Sequence, residues 1–212
     1  KLISGVPGVE PANVLVLGGG IVGTNAAKLS AGLGANVYIL DINMDNLRYL
    51  DDVMPENVHT IHSNKHVLKE LLPKIDLLIG AVLVVGAKAP KLITRKLLSL
   101  MQPGSVVVDV SVDQGGCIET TKATTHKNPT FVEENVTHYC VANMPGAVPY
   151  TSTIALTNAT FNYVKLLANN GVNIFKNNKS LLTGLNTVKG KVTHKAVADS
   201  FGLNYTNPLD LI

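Results

Sequence analysis

The stretch Val14–Asp41, VLVLGGGIVGTNAAKLSAGLGANVYILD, constrains the fold more than any other part of the chain. Val14-Leu15-Val16-Leu17 is an apolar run too short for a buried helix and suited to a buried strand. The glycine run Gly18-Gly19-Gly20-Ile21-Val22-Gly23 follows, a G-x-G-x-x-G, and leads into an Ala-rich helical run reaching about Leu33. Gly34-Ala35 breaks that run, and Val37-Tyr38-Ile39-Leu40 reads as a second strand ending at Asp41. In such a unit Gly18 permits the tight turn, Gly20 admits a pyrophosphate to the backbone, and Gly23 lets the helix pack close to the strand. The phosphates would rest on the unpaired N–H groups and positive end of the helix that Ile21 and Val22 begin. Asp41, roughly 20 positions beyond the glycines, can accept hydrogen bonds from both ribose hydroxyls of an adenosine. The expectation is an α/β fold, a Rossmann-type doubly wound parallel sheet that binds a dinucleotide, against the plainer reading of a glycine-rich turn. A 2′-phosphate would face the Asp41 carboxylate. Ile42 and Asn43 offer no cation, and Arg48 lies two helical turns into the next element. NAD is therefore expected over NADP.

The chain is 212 residues long, enough for such a domain with roughly 60 residues to spare. Its net charge is +3, from 18 basic against 15 acidic residues, and the basic ones are scattered, with no basic stripe to argue for nucleic acid. Cys117 and Cys140 show no metal-ligand spacing and read as reduced thiols of an intracellular, cytoplasmic protein. No apolar run reaches the ~20 residues that cross a bilayer, so no membrane role is expected. The first residue is Lys1 rather than Met, and a preceding segment is expected.

Along the chain, helical spacing predicts a helix over Met44–Met54 with Leu47, Leu50 and Val53 inward, and Val58–Ile61 reads as a short third strand. Ser63-Asn64 caps a helix from Lys65 to Leu72, closed by Pro73. Ile75–Val85 reads as a fourth strand running into the loop Gly86–Pro90, Leu92–Met101 as a helix, and Ser105–Val110 as a fifth strand. A Thr-rich connection spans Ser111 to Thr130, and Thr137–Val141 supplies a sixth strand. After Pro149 the texture becomes helical, with a long helix over Thr151–Asn169, a shorter one at Ser180–Leu185, a hairpin near Lys189-Gly190 and a last helix at His194–Phe201. The division expected is a Rossmann domain at 1–149 and helices at 150–212 that have little core of their own.

Ligands bind outside the carboxyl ends of the strands in doubly wound sheets. Val82, Leu83 and Met144 suit the faces of a nicotinamide or adenine ring, and Asn143 suits a carboxamide; Val82 and Leu83 also read as plain sheet core. Asp113 lies near the end of the fifth strand beside Gly115 and Gly116. Desolvated there, it would exchange protons with a substrate nitrogen; the alternative is a turn-forming Asp-x-Gly. His59, His62, His66, His126, His138 and His194 form no metal helix and suit surface or capping roles. No serine sits in a G-x-S-x-G elbow, so hydrolase chemistry is not indicated.

Several phrases together resemble the NAD-dependent L-alanine dehydrogenases, of the alanine dehydrogenase/transhydrogenase α-subunit family. They are Gly5–Pro11, Leu17–Ala27, Gly80–Leu83, Gly86–Leu92 and Asp113–Gly116, with Val141–Pro149 (VANMPGAVP) the most specific. The resemblance implies oxidative deamination of L-alanine to pyruvate and ammonia with NAD, in a hexamer. It implies that Asp41 binds the adenosine ribose, that Ser63 contacts the adenine end, and that Val82 and Leu83 line the cofactor cleft. Val110, Ser111, Val112, Asp113, Asn143 and Met144 would face the nicotinamide half, with Asp113 as the active-site aspartate. The family often offers a cation to the cofactor at the positions of Asn46 and Lys122, and Asn46 departs from that. The family's catalytic domain combines an N-terminal segment with the C-terminal helices, so this chain would hold the cofactor half and await its N-terminal partner segment. A catalytically silent NAD-binding module and a transhydrogenase-like subunit are the competing expectations.

Overall fold

A computed structural model describes residues 1–84, 86 and 88–212. The parts of the expected fourth strand and following loop that fall on Val85 and Ala87 lie outside the described residues. The chain divides into two compact units, Lys1–Leu83 with Ala89–Asn143, and Val84–Lys88 with Met144–Ile212.

The first unit is built on a seven-stranded sheet, the expected Rossmann-type fold. In chain order it contains β1 (Asn13–Leu17), α1 (Ile21–Gly32), β2 (Asn36–Asp41), α2 (Met44–Val53), β3 (Val58–His62), α3 (Lys65–Leu71), β4 (Leu77–Gly80), α4 (Arg95–Leu98), β5 (Val106–Asp109), β6 (Thr130–Glu133) and β7 (Val136–Tyr139). The spatial order is β3-β2-β1-β4-β5-β7-β6. The strands from β3 to β7 pair in parallel, with Val14 opposite Val37 on one side and Leu77 on the other. Side chains alternate across the pleat, which divides the core in two. Val14 and Val16 pack with Ala27, Ala31 and Leu50 on one face. Leu15 and Leu17 pack with Leu68, Leu72 and Leu98 on the other. Nearly every side chain of β1 is thereby removed from water, as a central parallel strand requires.

Several expectations need correction. The sheet is not wholly parallel: β6, at the end of what read as a Thr-rich connection and before the expected sixth strand, runs antiparallel to β7. The turn between them uses Glu134 and Asn135, both at positive φ (52° and 60°), a conformation usually signalled by glycine. The strand expected at Thr137–Val141 is β7 and stops at Tyr139, while β4 stops at Gly80 and leaves Val82 and Leu83 beyond the strand. The helix expected over Leu92–Met101 shrinks to α4, because Leu92 and Ile93 bond to the carbonyl of Cys117 and Thr94 caps only the residues after it. Val53 is exposed on α2, with Leu47 and Leu50 its buried residues. His138 is fully buried between β5 and β6 rather than at the surface: its Nε2 meets Thr120 Oγ1 at 2.8 Å, and its Nδ1 lies 2.9 Å from the Val136 carbonyl oxygen.

The second unit contains α5 (Pro149–Asn170), α6 (Ile174–Asn177), α7 (Lys179–Thr183), the hairpin β8 (Thr187–Val188) and β9 (Lys191–Val192), and α8 (Lys195–Phe201). Gly171 ends α5, and the hairpin turns through Lys189 and Gly190, both at positive φ. Within this unit Ser200 Oγ donates to the Gly86 carbonyl, bringing the short segment at Gly86 beside α8.

Candidate functional site

The carboxyl ends of β3, β2, β1, β4, β5 and β7 carry one continuous row of candidate residues. Its centre is the glycine turn between β1 and α1, at the point where the strand order reverses. Gly18 has φ +95°, and a Cβ there would lie 2.9 Å from the Ala81 carbonyl oxygen. A Cβ at Gly23 would run into the carbonyl oxygen of Gly18, which is why the helix can start so close to the strand. At Gly20 a Cβ would meet nothing, so its face is open.

Helix α1 differs from its neighbours at its N-terminus. Asn43, Asn64 and Thr94 side chains accept from the first N–H groups of α2, α3 and α4. The N-cap of α1 is Gly20, which has no side chain to do so, and no acidic residue follows in the first turn. The donors at Ile21, Val22 and Gly23 thus sit at the positive end of a twelve-residue helix, a fit for an anionic group such as a pyrophosphate.

Asp41 is held from several directions before any ligand arrives. Its Oδ2 accepts from Gly19 N–H at 2.8 Å and from Asn46 Nδ2 at 3.0 Å, and its Oδ1 accepts from Asn43 N–H at 2.9 Å. Partial burial works against the charged form, but the donors from Asn43, Gly19, Asn46 and Ile42 outweigh it and hold the carboxyl below its ordinary value. Among the described residues no ion pair forms on Asp41, and Arg48 is engaged with Asp45 at 2.6 Å. Ser63 follows β3 and donates its N–H to the Asp41 carbonyl at 2.8 Å, which places it next in the row.

On the other side of the glycine turn, Ser111 Oγ donates to the Val82 carbonyl at 2.8 Å, joining the ends of β4 and β5. Val82 is half-buried against the core, whereas Leu83 is 70% exposed, so the plain-core reading fits Val82 alone. Val110 to Gln114 form a 3-10 turn in which Ser111 and Val112 are buried and Asp113 is exposed. Asp113 accepts the Asn143 N–H through both oxygens, at 3.1 and 3.3 Å. In this chain the carboxylate is therefore not desolvated. Asn143 has φ +52°, and its carbonyl oxygen lies 3.3 Å from His126 Nε2. Met144 belongs to the second unit.

The most buried polar group of this edge escaped the sequence reading. Asp109 is 0% exposed and ends β5. Its carboxylate accepts from the N–H groups of Ser111 and Cys117, each at 3.0 Å, and from Thr121 Oγ1 at 2.7 Å. Lys91 Nζ reaches the same loop from outside and donates to the Gly115 and Ile118 carbonyls. The turn bearing Asp113 is thus tied at its start and its finish. Burial first, and then the Asp109 charge, push the Cys117 thiol up to about 12 and the Cys140 thiol to about 11, so neither is a nucleophile at neutral pH. The only sequence signal for Asp109 is a carboxylate closing the apolar run Val106-Val107-Val108. Gly19 and Asn46, also missed as parts of the Asp41 cluster, carry no signal short of tertiary contact.

Other expected groups are occupied elsewhere. Lys122 Nζ lies 4.3 Å over the Phe131 ring, and Arg95 pairs with Glu133 and Glu134 at 2.6 Å each. His66 pairs with Glu70, and among the described residues no cluster of three or more potential metal ligands exists. No helix of the described residues is long and apolar enough to cross a membrane. A cleft of about 440 Å³ lined by Lys1, Asp76 and Gly104 opens at the amino ends of the strands, away from this row.

Known proteins share this sequence and fold. The chain is 55% identical to alanine dehydrogenase of Staphylococcus haemolyticus, over 100% of its own length and 57% of that protein's. A solved L-alanine dehydrogenase superposes with TM-score 0.85 at 48% identity, covering 95% of this chain and 56% of the other. A transhydrogenase from Sinorhizobium meliloti gives TM-score 0.59 at 28% identity, over 66% of this chain and 41% of its own. The chain thus spans little more than half the length of the alanine dehydrogenases it matches. Residues 1–195 match the family described as "Alanine dehydrogenase/PNT, C-terminal domain", and the chain belongs to that family.

Proposed function

We propose that this chain is the cofactor half of an L-alanine dehydrogenase, which oxidatively deaminates L-alanine to pyruvate and ammonia. The cofactor is NAD. The observation that carries the reading is the single row running from Ser63 and Asp41 through the uncapped glycine turn to Val82, Ser111 and Asp113. Bound NAD supplies the hydride acceptor. The chain's residues supply the rest: the N–H groups at Gly20 to Gly23 take the pyrophosphate, and Asp41 takes the ribose hydroxyls. Val82, Leu83, Val110 and Val112 give the nicotinamide half an apolar wall, and Asn143 lies on the same edge through its N–H bond to Asp113. Asp113, exposed on this chain and anchored by the Asn143 N–H, is poised to hold a proton near the substrate nitrogen.

Arg48 and Arg95, the planar cations suited to clamping a substrate carboxylate, are both engaged with carboxylates of this chain. The N-terminal segment of the whole protein supplies that clamp and excludes water, and the complete enzyme assembles as a hexamer. Buried, unpaired Cys117 and Cys140 fit a reducing, cytoplasmic setting.

Positioning is worth roughly 7–11 kcal/mol in organised sites, so the isolated chain should form no measurable NADH from L-alanine, and adding the separately expressed N-terminal segment should restore turnover. Robust turnover by the chain alone would overturn this reading. In the complete enzyme, Asp113→Asn should lower turnover far more than cofactor affinity; turnover preserved within a few-fold would leave Asp113 a turn residue.

A further inference from the structure

The loop that carries Asp113 is held through both kinds of backbone group. On its inner side the Asp109 carboxylate collects N–H groups, from Ser111 and Cys117 at 3.0 Å each and from Ile118 at 3.4 Å. On its outer side the carbonyl oxygens are taken, that of Gln114 by the Ala89 N–H at 3.0 Å and those of Gly115 and Ile118 by Lys91 Nζ. Between these ties the chain reverses through Gly115 and Gly116, at φ +87° and +75°. Asp113 therefore stands between two held residues, Ser111 and Gln114. Its own carboxylate shares one N–H, that of Asn143, between both oxygens at 3.1 and 3.3 Å. The backbone of the loop, more than that shared bond, sets where the carboxylate stands.

Lys91 is exposed, yet among the described residues it makes no ion pair and spends its charge on two carbonyls of one loop. An ammonium donates and never accepts, and its bonds to carbonyl oxygens are charge-assisted, about twice as strong as neutral ones. We infer that Lys91 is a positioning residue for the oxidation of L-alanine: it clamps the loop from outside, opposite Asp109 within, and so fixes the Asp113 carboxylate. The assignment rests on the reading of Asp113 as the group that holds a proton near the substrate nitrogen. Lys91 acts through the backbone of residues 114–118 and touches no substrate. A reacting group displaced by about 1 Å can cost roughly a hundred-fold in rate. Cofactor affinity comes from Asp41 and the glycine turn, and Ser111 keeps its own ties to Asp109 and Val82, so Lys91 should govern turnover and leave NADH binding alone. Asp109 holds the same loop, but its loss also disrupts the core. The exposed Lys91 separates positioning from stability.

The test is a double-mutant cycle in the complete enzyme, with kcat on L-alanine and fluorescence titration of NADH for Lys91→Met, Asp113→Asn and the two combined. Lys91→Met keeps the apolar stem and removes the donors. It should lower kcat by about ten- to a hundred-fold while the Kd for NADH stays within about two-fold. Lys91→Arg, which can still reach both carbonyls, should recover most of that loss. In the Asp113→Asn background Lys91→Met should cost less than about three-fold, because what it positions is already gone. Losses that multiply across the cycle, or a Lys91→Met enzyme within about two-fold of wild-type kcat, make Lys91 a structural contact and overturn the assignment alone. If Lys91→Met does not fold, Lys91→Gln takes its place in the cycle. A complete wild-type enzyme that does not oxidise L-alanine, or that tolerates Asp113→Asn, overturns the proposed function or the role of Asp113, and this assignment with it.

Discussion

The two units treat apolar surface in opposite ways. In the sheet unit the strands supply residues buried outright, among them Leu15, Ile39, Leu78 and Val107, and helices cover both faces. In the helical unit α5 runs 22 residues without one buried side chain, and Tyr150, Phe161 and Val164 are 81%, 59% and 57% exposed. Apolar residues wind around α5 rather than forming one stripe, so no single contact within the chain could cover them. The difference teaches that the sheet unit is specified by its own residues, whereas the helical unit leaves the apolar surface of α5 open to solvent.

The comparison breaks first in hydrogen exchange. Amides of β1 and β4 should exchange only on global unfolding, and those of α5 at least about a hundred-fold faster. Equal protection would refute the contrast; slowing of α5 on addition of the N-terminal segment would sharpen it. A smaller effect is expected in paired substitutions followed by thermal melting. Asp109→Ala strands buried N–H and O–H donors around it and should cost about 3 kcal/mol, while Phe161→Ala should stay within roughly 0.5 kcal/mol. Comparable losses would mean that α5 is packed more firmly than its exposure implies.

The smallest effect is in pH dependence. Burial holds His138 below its ordinary value of 6.5, only partly offset by its contact with the Val136 carbonyl. The unfolded chain therefore binds more protons in that window, and stability rises with pH. The contribution is complete above pH 6.5 and is lost as pH falls through the lower folded value. Melting between pH 7.5 and 5 should show this for the sheet unit, and His138→Gln should flatten that part of the curve.

Much of the sheet unit was legible because its signals are local. A strand, three glycines, a helix and a strand closing on Asp41 occupy consecutive residues, and each agrees with the next. Strand β6 was not legible, since it is an edge strand with little burial and its turn, Glu134-Asn135, carries no glycine. Helix α4 was overread because Leu92 and Ile93 have helical spacing but spend their N–H groups on Cys117. Asp109 and Asn46 escaped as functional neighbours because Asp109 holds Cys117 and Thr121, and Asn46 holds Gly19, in parts of the chain that only the fold brings close.

The Asp109 pocket has a consequence for how this sequence can change over generations. A Cβ on Gly80 would lie 2.6 Å from Cys117 Sγ and 2.9 Å from Asp109 Oδ1, and one on Gly116 would lie 2.6 Å from Asp109 Oδ2. Gly116 also has φ +75°, a conformation that L side chains rarely adopt. Each of these residues is tolerable only while the others keep their size. Single substitutions at Gly80, Asp109, Gly116 or Cys117 should be purged, and change there should arrive only as compensated pairs. Four positions on three segments thus behave as one inherited character.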